Sequence, residues 1–329
     1  MLRLTYLPKI AKIPIAKWVV YRRQRAAMFV RESSTGIEVS APAKLNLFFE
    51  VLAKRDDGFH EIETLMIPIA LFDTLYFRDD PSERIELLCG WANGLPRPTE
   101  ERLGELPVAD DNLVVKAIHL LKQRAGVSRG ASMRLIKRTP SASGMGGASS
   151  DAAAALVAAN RAWDLRWPSD RLARLAAELG SDIPFFFGRT AAVCRGRGER
   201  IEPTRGLGVM HFVVVRPPEG LSTARVYSRC RPAKQPQSVR PLIEALRRGE
   251  TGAIGPLLCN RLQSTAEELS PWIGRLRRQF DQLDLVGHQM SGSGTSYFGI
   301  CRHARQARRA ASVLNSHRVG YVVATTNLC

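Results

Sequence analysis

Residues 139–153 read TPSASGMGGASSDAA, and this stretch decides the fold. Its three glycines remove side chains where the backbone bends, and Ser149 and Ser150 add hydroxyls beside a predicted helix start. Asp151 adds a carboxylate to the first turn. Two interpretations follow from these residues. One is a tight loop with a good helix cap. The other is a phosphate site, because unsatisfied N–H groups and the helix dipole attract anions there.

The spacing of the glycines excludes the commonest phosphate-binding motifs. No G-x-x-x-x-G-K-[ST] pattern is present, so the stretch is not a Walker loop. GMGGAS does not match the dinucleotide-binding fingerprint, because Ser149 stands at its last position. No H-R-D or D-F-G motif indicates a protein kinase. The loop by itself therefore leaves both interpretations open.

Composition indicates a globular protein of one large or two ordinary domains. The chain has 329 residues, of which 45% are hydrophobic, enough for a buried core. No apolar run approaches the length that spans a bilayer. Six scattered cysteines, with no C-x-x-C pair, argue for reduced thiols and against a structural zinc site. We therefore expect a cytoplasmic protein.

The formal net charge is +17, and part of it is concentrated at the amino terminus. Residues 1–31 contain no acidic side chain. We interpret residues 1–36 as a basic, disordered extension, and a true start at Met28 is an alternative. A targeting peptide or a nucleic-acid-binding arm also fits such a composition. The remaining arginines lie on helix-like stretches and form solvated faces that attract anionic substrates.

Hydrophobic periodicity predicts a mixed α/β chain. Strands are predicted in EVSAPAKLNLFFEVLAK, TLMIPIALFDTLYF, ASMRLIKRTP, VMHFVVVRPP, SYFGIC and YVVATTNL. Helices are predicted in DNLVVKAIHLLKQRAG, in DAAAALVAANRAWDL and in SDRLARLAAELG, the last with Ser169 as its cap and Gly180 as its stop. The polar, Pro- and Gly-rich segment around 90–107 is predicted to be a surface insertion. We place a domain boundary near residue 205, giving domains at 37–205 and 206–329.

Further stretches flank the glycine loop. They are PAKLNLFFEV (42–51) followed by RDDGFHEIET (55–64), then LGSDIPFF (179–186) and GSGTS (292–296). With the loop, they resemble the GHMP kinase superfamily. The pairing of PAKLNL with DGFHEIET is similar to the kinases that act on 4-diphosphocytidyl-2-C-methyl-D-erythritol in the non-mevalonate isoprenoid route. The resemblance covers residues 38–329.

The resemblance implies an α+β, two-domain GHMP kinase architecture. The amino-terminal domain is expected to be like the second domain of a ribosomal small-subunit protein, and the carboxy-terminal domain to be ferredoxin-like. It also implies that ATP phosphates lie on the glycine-rich loop. That loop comprises Pro140, Ser141, Ala142, Ser143, Gly144, Met145, Gly146, Gly147, Ala148, Ser149 and Ser150.

The resemblance assigns catalysis to two residues. Asp182 matches the catalytic aspartate and is expected to accept the proton of the attacking hydroxyl. Lys44 matches the catalytic lysine, a fixed cation that orients the hydroxyl and offsets developing negative charge. Asn46 lies on the same strand face as Lys44 and is expected to hold substrate or a phosphate oxygen. From the residues alone, Asp182 is better interpreted as a polar loop residue after a helix, and an edge-strand charge is an alternative for Lys44.

Substrate contacts are implied at three further positions. Phe59 and His60 fall where the family stacks on cytosine and hydrogen-bonds to it, and Tyr227 matches an aromatic on the opposite face. GSGTS is expected to back the phosphate site, and its alternative is a simple β-turn. Without the resemblance, Phe59 would be a core residue and Tyr227 a half-buried surface residue.

The expected cofactors are ATP and Mg²⁺, because ATP phosphates need charge neutralisation and this ion prefers oxygen ligands. Ser149 or Ser150 would supply a hydroxyl, and the protein ligands of the metal stay unassigned. The expected partner is the cytidine diphosphate-linked methylerythritol, with no membrane and no specific nucleic acid.

Two other classes of function remain open. A homoserine or mevalonate kinase would share the glycine loop but has no reason for an aromatic–histidine pair. A nucleic-acid-binding protein is motivated by the net charge of +17, but no RNP aromatic signature or KH loop is present.

Overall fold

The computed structural model describes residues 28–95, 103–107, 109–188 and 190–328. Its first half is a mixed sheet with helices on one face. The strands are β1 Phe29–Ser33, β2 Gly36–Lys54, β3 His60–Asp80, β4 Ile85–Trp91, β5 Gly130–Lys137, β6 Ala192–Gly196 and β7 Arg200–Pro203. The helices are α1 Leu113–Ala125, α2 Gly147–Ala162 and α3 Ser169–Ala176, with 3-10 turns at Ala109–Asp111 and Pro184–Phe187.

The long antiparallel pair β2–β3 organises this sheet. The strand order is β1-β2-β3-β5-β4, in which β4 and β5 are parallel, and β6 and β7 extend the sheet from β3. The alanine-rich face of α2 is fully buried, and α2 packs on β2 and β3 and against α1. Small side chains allow this close approach, so the amino terminus of α2 is held against the sheet.

The second half is a ferredoxin-like domain. Its strands are β8 His211–Arg216, β10 Gly287–Met290, β11 Tyr297–Cys301 and β12 Tyr321–Thr326, and a short β9, Cys259–Asn260, joins β2. Its helices are α4 Thr223–Arg229, α5 Arg240–Arg248, α6 Thr251–Leu257, α7 Gln263–Leu269, α8 Pro271–Asp281 and α9 Ala304–Ser316. The antiparallel order β10-β11-β8-β12 confirms the predicted fold.

The two halves share a buried core. Leu45 and Phe48 of β2 belong to the same apolar cluster as Phe212 of β8 and Phe298 of β11. Burial of such side chains contributes about 1.5–3 kcal/mol each. The predicted boundary near residue 205 falls between β7 and β8, and the division at that residue stays a prediction. The groove between the halves is where the candidate site lies.

Several sequence predictions need correction. Residues 29–33 form β1, which pairs with β2, and Met28 is buried in the core, so the predicted extension does not reach residue 36. Residues 1–27 lie outside the described part of the chain. Helix α2 begins at Gly147, four residues before the predicted start at Asp151. Helix α3 is capped by Pro168, with Ser169 as its first residue, and it ends before Gly180.

The prediction of a surface insertion is wrong at Leu103. Leu103 is fully buried, and its carbonyl accepts a hydrogen bond of 2.7 Å from the backbone N–H of Ser141. One apolar residue in a polar run therefore anchors this segment against the glycine loop. Strand β4, which immediately precedes the segment, was not predicted.

Two global features complete the description. Among the described residues, no helix is both long and apolar enough to cross a membrane. The cysteines at 89, 194, 230, 259 and 301 are free thiols.

Candidate active site

The glycine loop turns the chain from β5 into α2. Gly146 is the N-cap of α2 and has φ 68°, in the left-handed region that glycine adopts without strain. A Cβ on Gly146 would lie 3.0 Å from both Lys44 Cγ and Phe186 Cζ. Having no side chain, Gly146 cannot accept a hydrogen bond from the first N–H groups of α2. N–H groups left without a side-chain cap at a helix start are able to bind an anion.

A second glycine loop, at 291–296, backs the first. Gly144 has φ 74°, and a Cβ there would lie 2.4 Å from the carbonyl oxygen of Ser291. The backbone N–H of Ser296 donates a 3.0 Å hydrogen bond to the carbonyl of Ser143. The loops touch through backbone atoms, which requires glycine at the contact. GSGTS therefore packs against the glycine loop.

Strand β2 brings Lys44 and Asn46 beneath the loop. The backbone N–H of Lys44 donates to the carbonyl of Met145 at 2.9 Å, which ties strand to loop. Lys44 Nζ donates to Asn46 Oδ1 at 2.6 Å, and Asn46 Nδ2 donates to Thr64 Oγ1 at 2.8 Å. The Lys44 side chain is buried. Because these bonds fix the rotamer, the ammonium has one position in the groove.

Asp182 reaches the same point from the turn between α3 and the 3-10 helix. Its Oδ2 lies 3.5 Å from Lys44 Nζ, and its side chain is 37% exposed to the groove. The two predicted catalytic residues thus form an ion pair across 138 positions of sequence. The carboxylate faces the open space of the groove.

Three aromatic residues line the same groove. The rings of His60 and Tyr227 stand 5.2 Å apart, whereas Phe59 is 52% exposed beneath the guanidinium of Arg197. Burial, and then the nearby charge of Lys54, lower the pKa of His60 below its ordinary value. Burial and then the charge of Asp182 raise the pKa of Tyr227. Both side chains are therefore neutral at pH 7.

One cavity of about 860 Å³ joins these features. Its lining includes Lys44, Asn46, Asp182, Phe59, His60 and Tyr227, together with Ala142, Gly144, Gly146 and Ser149 of the glycine loop. A smaller cavity of about 340 Å³ lies on the other side of that loop. Of the predicted loop residues, Met145 and Ser150 line neither cavity, because both are fully buried.

Sequence reasoning missed several lining residues. Arg197 and Lys54 line the larger cavity, and Leu106 and Pro107 line the smaller one with Asn112. Arg197 comes from the β6–β7 turn, which no local pattern connects to the site. Leu106 and Pro107 belong to the segment predicted as an insertion.

Two family models match the chain. The GHMP kinases N terminal domain matches residues 112–189, and the GHMP kinases C terminal domain matches residues 242–319. A 4-diphosphocytidyl-2-C-methyl-D-erythritol kinase of Pelotomaculum thermopropionicum is 37% identical over 278 residues, which cover 84% of this chain and 93% of that relative. The chain belongs to the 4-diphosphocytidyl-2-C-methyl-D-erythritol kinase family.

Solved structures agree with this family. A crystal structure of a 4-(cytidine 5'-diphospho)-2C-methyl-D-erythritol kinase has a TM-score of 0.74 at 34% identity and covers 89% of this chain and 99% of its own. The homoserine kinase from Cytophaga hutchinsonii has a TM-score of 0.64 at 17% identity, covering 90% of this chain and 96% of its own. At that identity, the second likeness shows the shared fold alone.

Binding of Mg²⁺ at this site would depend on oxygen ligands. The described residues contain no group of three or more His, Cys, Asp or Glu side chains arranged to hold a metal. Ser149 lines both cavities, and the buried Ser150 Oγ has no hydrogen-bond partner among the described residues. Hydroxyl oxygens beside an anion site fit an ion that is held mainly by ATP oxygens and water.

Proposed function

We propose that this chain transfers the γ-phosphoryl group of ATP to the 2-hydroxyl of 4-diphosphocytidyl-2-C-methyl-D-erythritol. One observation carries the proposal. The Lys44–Asp182 ion pair stands in a single cavity that is also lined by the glycine loop and by an aromatic–histidine group. A kinase with this acceptor needs a phosphate site, a proton acceptor and a site for the cytosine base within one cavity.

The phosphate end is supported by backbone geometry. The N–H groups at the start of α2 supply fixed donors, and Gly144 and Gly146 allow phosphate oxygens close to the backbone. These donors are pre-oriented, because the second glycine loop and β2 brace the loop from two sides. Catalysis of phosphoryl transfer rests largely on such positioning and charge stabilisation.

The chemistry needs a proton acceptor beside the attacking oxygen. As the 2-hydroxyl oxygen bonds to the γ-phosphorus and the bond to the ADP oxygen breaks, the hydroxyl proton passes to Asp182. Lys44 holds the carboxylate in place and stabilises negative charge on the transferring group. Asn46 fixes Lys44 through the 2.6 Å hydrogen bond.

The residues proposed to contact the cytosine base, Phe59, His60 and Tyr227, select the acceptor. A neutral His60 both donates and accepts hydrogen bonds, which suits the edge of cytosine. The exposed ring of Phe59 offers a stacking face, and Tyr227 packs against His60. Arg197 and Lys54 line the same cavity and offer charge to a diphosphate. Homoserine and mevalonate have no base to use these residues.

We place Mg²⁺ with the ATP phosphates and take the hydroxyl of Ser149 as the contributor, because Ser149 lines both cavities whereas Ser150 lines neither. When bound, this ion neutralises phosphate charge and polarises the transferring group. The free thiols support a reducing, cytoplasmic setting for this activity.

The test is ADP formation with three acceptors at equal concentration. The cytidyl substrate is expected to support turnover at least 100-fold faster than homoserine or mevalonate. Equal or faster turnover with either small alcohol would contradict the assignment of the acceptor.

A further inference from the structure

Asp73 is a fully buried carboxylate that lines neither of the two cavities. It lies on β3, opposite Ala41 of β2. Its Oδ1 accepts hydrogen bonds from the backbone N–H groups of Arg138 and Thr139, the latter at 2.8 Å. These two residues follow the end of β5 and lead into the glycine loop. Asp73 therefore fixes the loop where the chain leaves the sheet.

The other oxygen of Asp73 fixes the far end of the loop through Lys137. The ammonium of Lys137 donates to Asp73 Oδ2 and also to Oδ2 of Asp151 in α2. Asp73, Lys137 and Asp151 are 0%, 5% and 2% exposed. Residues 140–150, the whole predicted phosphate loop, lie between the two ends of this carboxylate–ammonium–carboxylate chain.

Such a chain is expensive to bury. Desolvating an ion costs several kcal/mol, and a buried ion pair is often no more stabilising than apolar residues of similar size. Two carboxylates here share one ammonium, so burial and then the charge of Asp73 raise the pKa of Asp151 against the opposing charge of Lys137. A gain in stability does not explain this arrangement well. Holding both ends of the loop at fixed positions does explain it.

We propose that Asp73 is a positioning residue for nucleotide binding, acting through the backbone of residues 138–139 and through Lys137 on the start of α2. It holds the N–H donors of the glycine loop in the geometry that receives phosphate oxygens. This inference rests on the proposed use of ATP and adds a residue to that site. Because the hydrogen bonds of Asp73 go to the two ends of the glycine loop and not to Phe59, His60 or Tyr227, we expect its loss to weaken the binding of ATP and to leave the binding of the acceptor unchanged.

The chain offers a matched control in Glu50. This carboxylate on β2 is also fully buried, and it accepts from one cation, Arg261, at 2.7 and 2.8 Å and from the backbone N–H of Gln237 at 3.0 Å. Glu50→Gln removes the same kind of charge without touching the glycine loop. It reports what the loss of a buried ion pair does to the fold.

The experiment compares Asp73→Asn, Glu50→Gln and the unaltered protein by ATP calorimetry and by steady-state kinetics. Asp73→Asn is expected to weaken ATP binding and raise the KM for ATP at least tenfold, while kcat and the KM for the cytidyl substrate stay within threefold. Glu50→Gln is expected to lower the melting temperature but to keep the affinity for ATP within twofold.

An ATP affinity of Asp73→Asn within twofold of the unaltered protein would overturn the inference. Equal rises in both KM values, matching those of Glu50→Gln, would also overturn it by showing a general structural role. If Asp73→Asn does not fold, Asp73→Ser is measured against the same thresholds. Failure of the unaltered protein to phosphorylate the cytidyl substrate would reject the proposed function, and the calorimetry would still decide the role of Asp73.

Discussion

The ammonium of Lys44 and the carboxylate of Asp182 lie 3.5 Å apart but differ sharply in exposure, at 4% and 37% of their side-chain surface. Lys44 is held by Asn46 and by the strand, so its position is set before substrate arrives. Asp182 projects into the cavity from a turn. A fixed cation beside an accessible carboxylate is the arrangement that a proton acceptor in phosphoryl transfer requires.

Asp182→Asn is expected to lower kcat by about 10²- to 10⁴-fold, because the amide cannot accept the hydroxyl proton. The KM for ATP should change by less than threefold, since the glycine loop is intact. Single-turnover kinetics and calorimetry measure the two effects separately. A folded variant with near-normal kcat would remove Asp182 from the chemistry.

Gly146→Val is expected to abolish measurable ATP binding. The new side chain would start 3.0 Å from Lys44 Cγ and fill the space of the phosphates. Gly126→Val is the matched control, because Gly126 has a similar φ of 65° but nothing within 4 Å of an added Cβ. Both variants carry backbone strain of about 1–2 kcal/mol. Equal ATP affinities in the two would show that the loop does not receive phosphates.

Phe59→Ala is expected to raise the KM for the cytidyl substrate between roughly 5- and 150-fold, because base stacking contributes about 1–3 kcal/mol. Phe59→Tyr should stay within threefold, since either ring stacks. The ring is 52% exposed, so truncation costs the fold little, and Leu88→Ala, at a residue 74% exposed on β4, is the control. A KM unchanged by Phe59→Ala would place the base elsewhere.

The KM for the cytidyl substrate is expected to depend on pH through His60. Burial, and then the charge of Lys54, lower its pKa, so the neutral imidazole persists below the ordinary value of about 6.5. The KM should be constant above pH 6.5 and rise as the pH falls through the lowered pKa. Because the pKa of His60 is lower in the folded than in the unfolded chain, its contribution to the free energy of unfolding is complete above pH 6.5 and is lost as the pH falls. In a pH series, His60→Asn should remove this rise in KM at low pH. A rise that persists in the variant would show that another group titrates.

The sequence predicted the parts of the fold that have strong periodicity. The hydrophobic periodicity is clear in strands β2, β3 and β8 and in helix α1, and tertiary contacts do not override it. Helix α1 also has Asn112 and Gly126 as its caps. Strand β4 was missed because it is short and follows a polar turn. Leu103 gave no signal, because one apolar residue in a polar segment indicates burial only once its surroundings are known.

The same limit applies to the candidate site. The motifs located Lys44, Asp182 and the loop, because each lies in a stretch whose residue types and order resemble the family. Arg197 reaches the cavity only because the β6–β7 turn folds over Phe59. Asp73 had a weak signal, a carboxylate inside an apolar strand, but its bonds to residues 138–139 depend on how β3 and β5 pair.

Analysis of the reaction product by phosphorus-31 NMR tests the central claim most directly. The unaltered protein, ATP and 4-diphosphocytidyl-2-C-methyl-D-erythritol should give one ADP and one new phosphate monoester for each acceptor consumed. Its signal should show no three-bond coupling to a proton, because C2 of the acceptor carries a methyl group and no hydrogen. Asp182→Asn should give no such signal in the same time. A monoester coupled to carbon-bound protons, or ADP formed without a phosphorylated acceptor, would contradict transfer to the 2-hydroxyl at the Lys44–Asp182 pair.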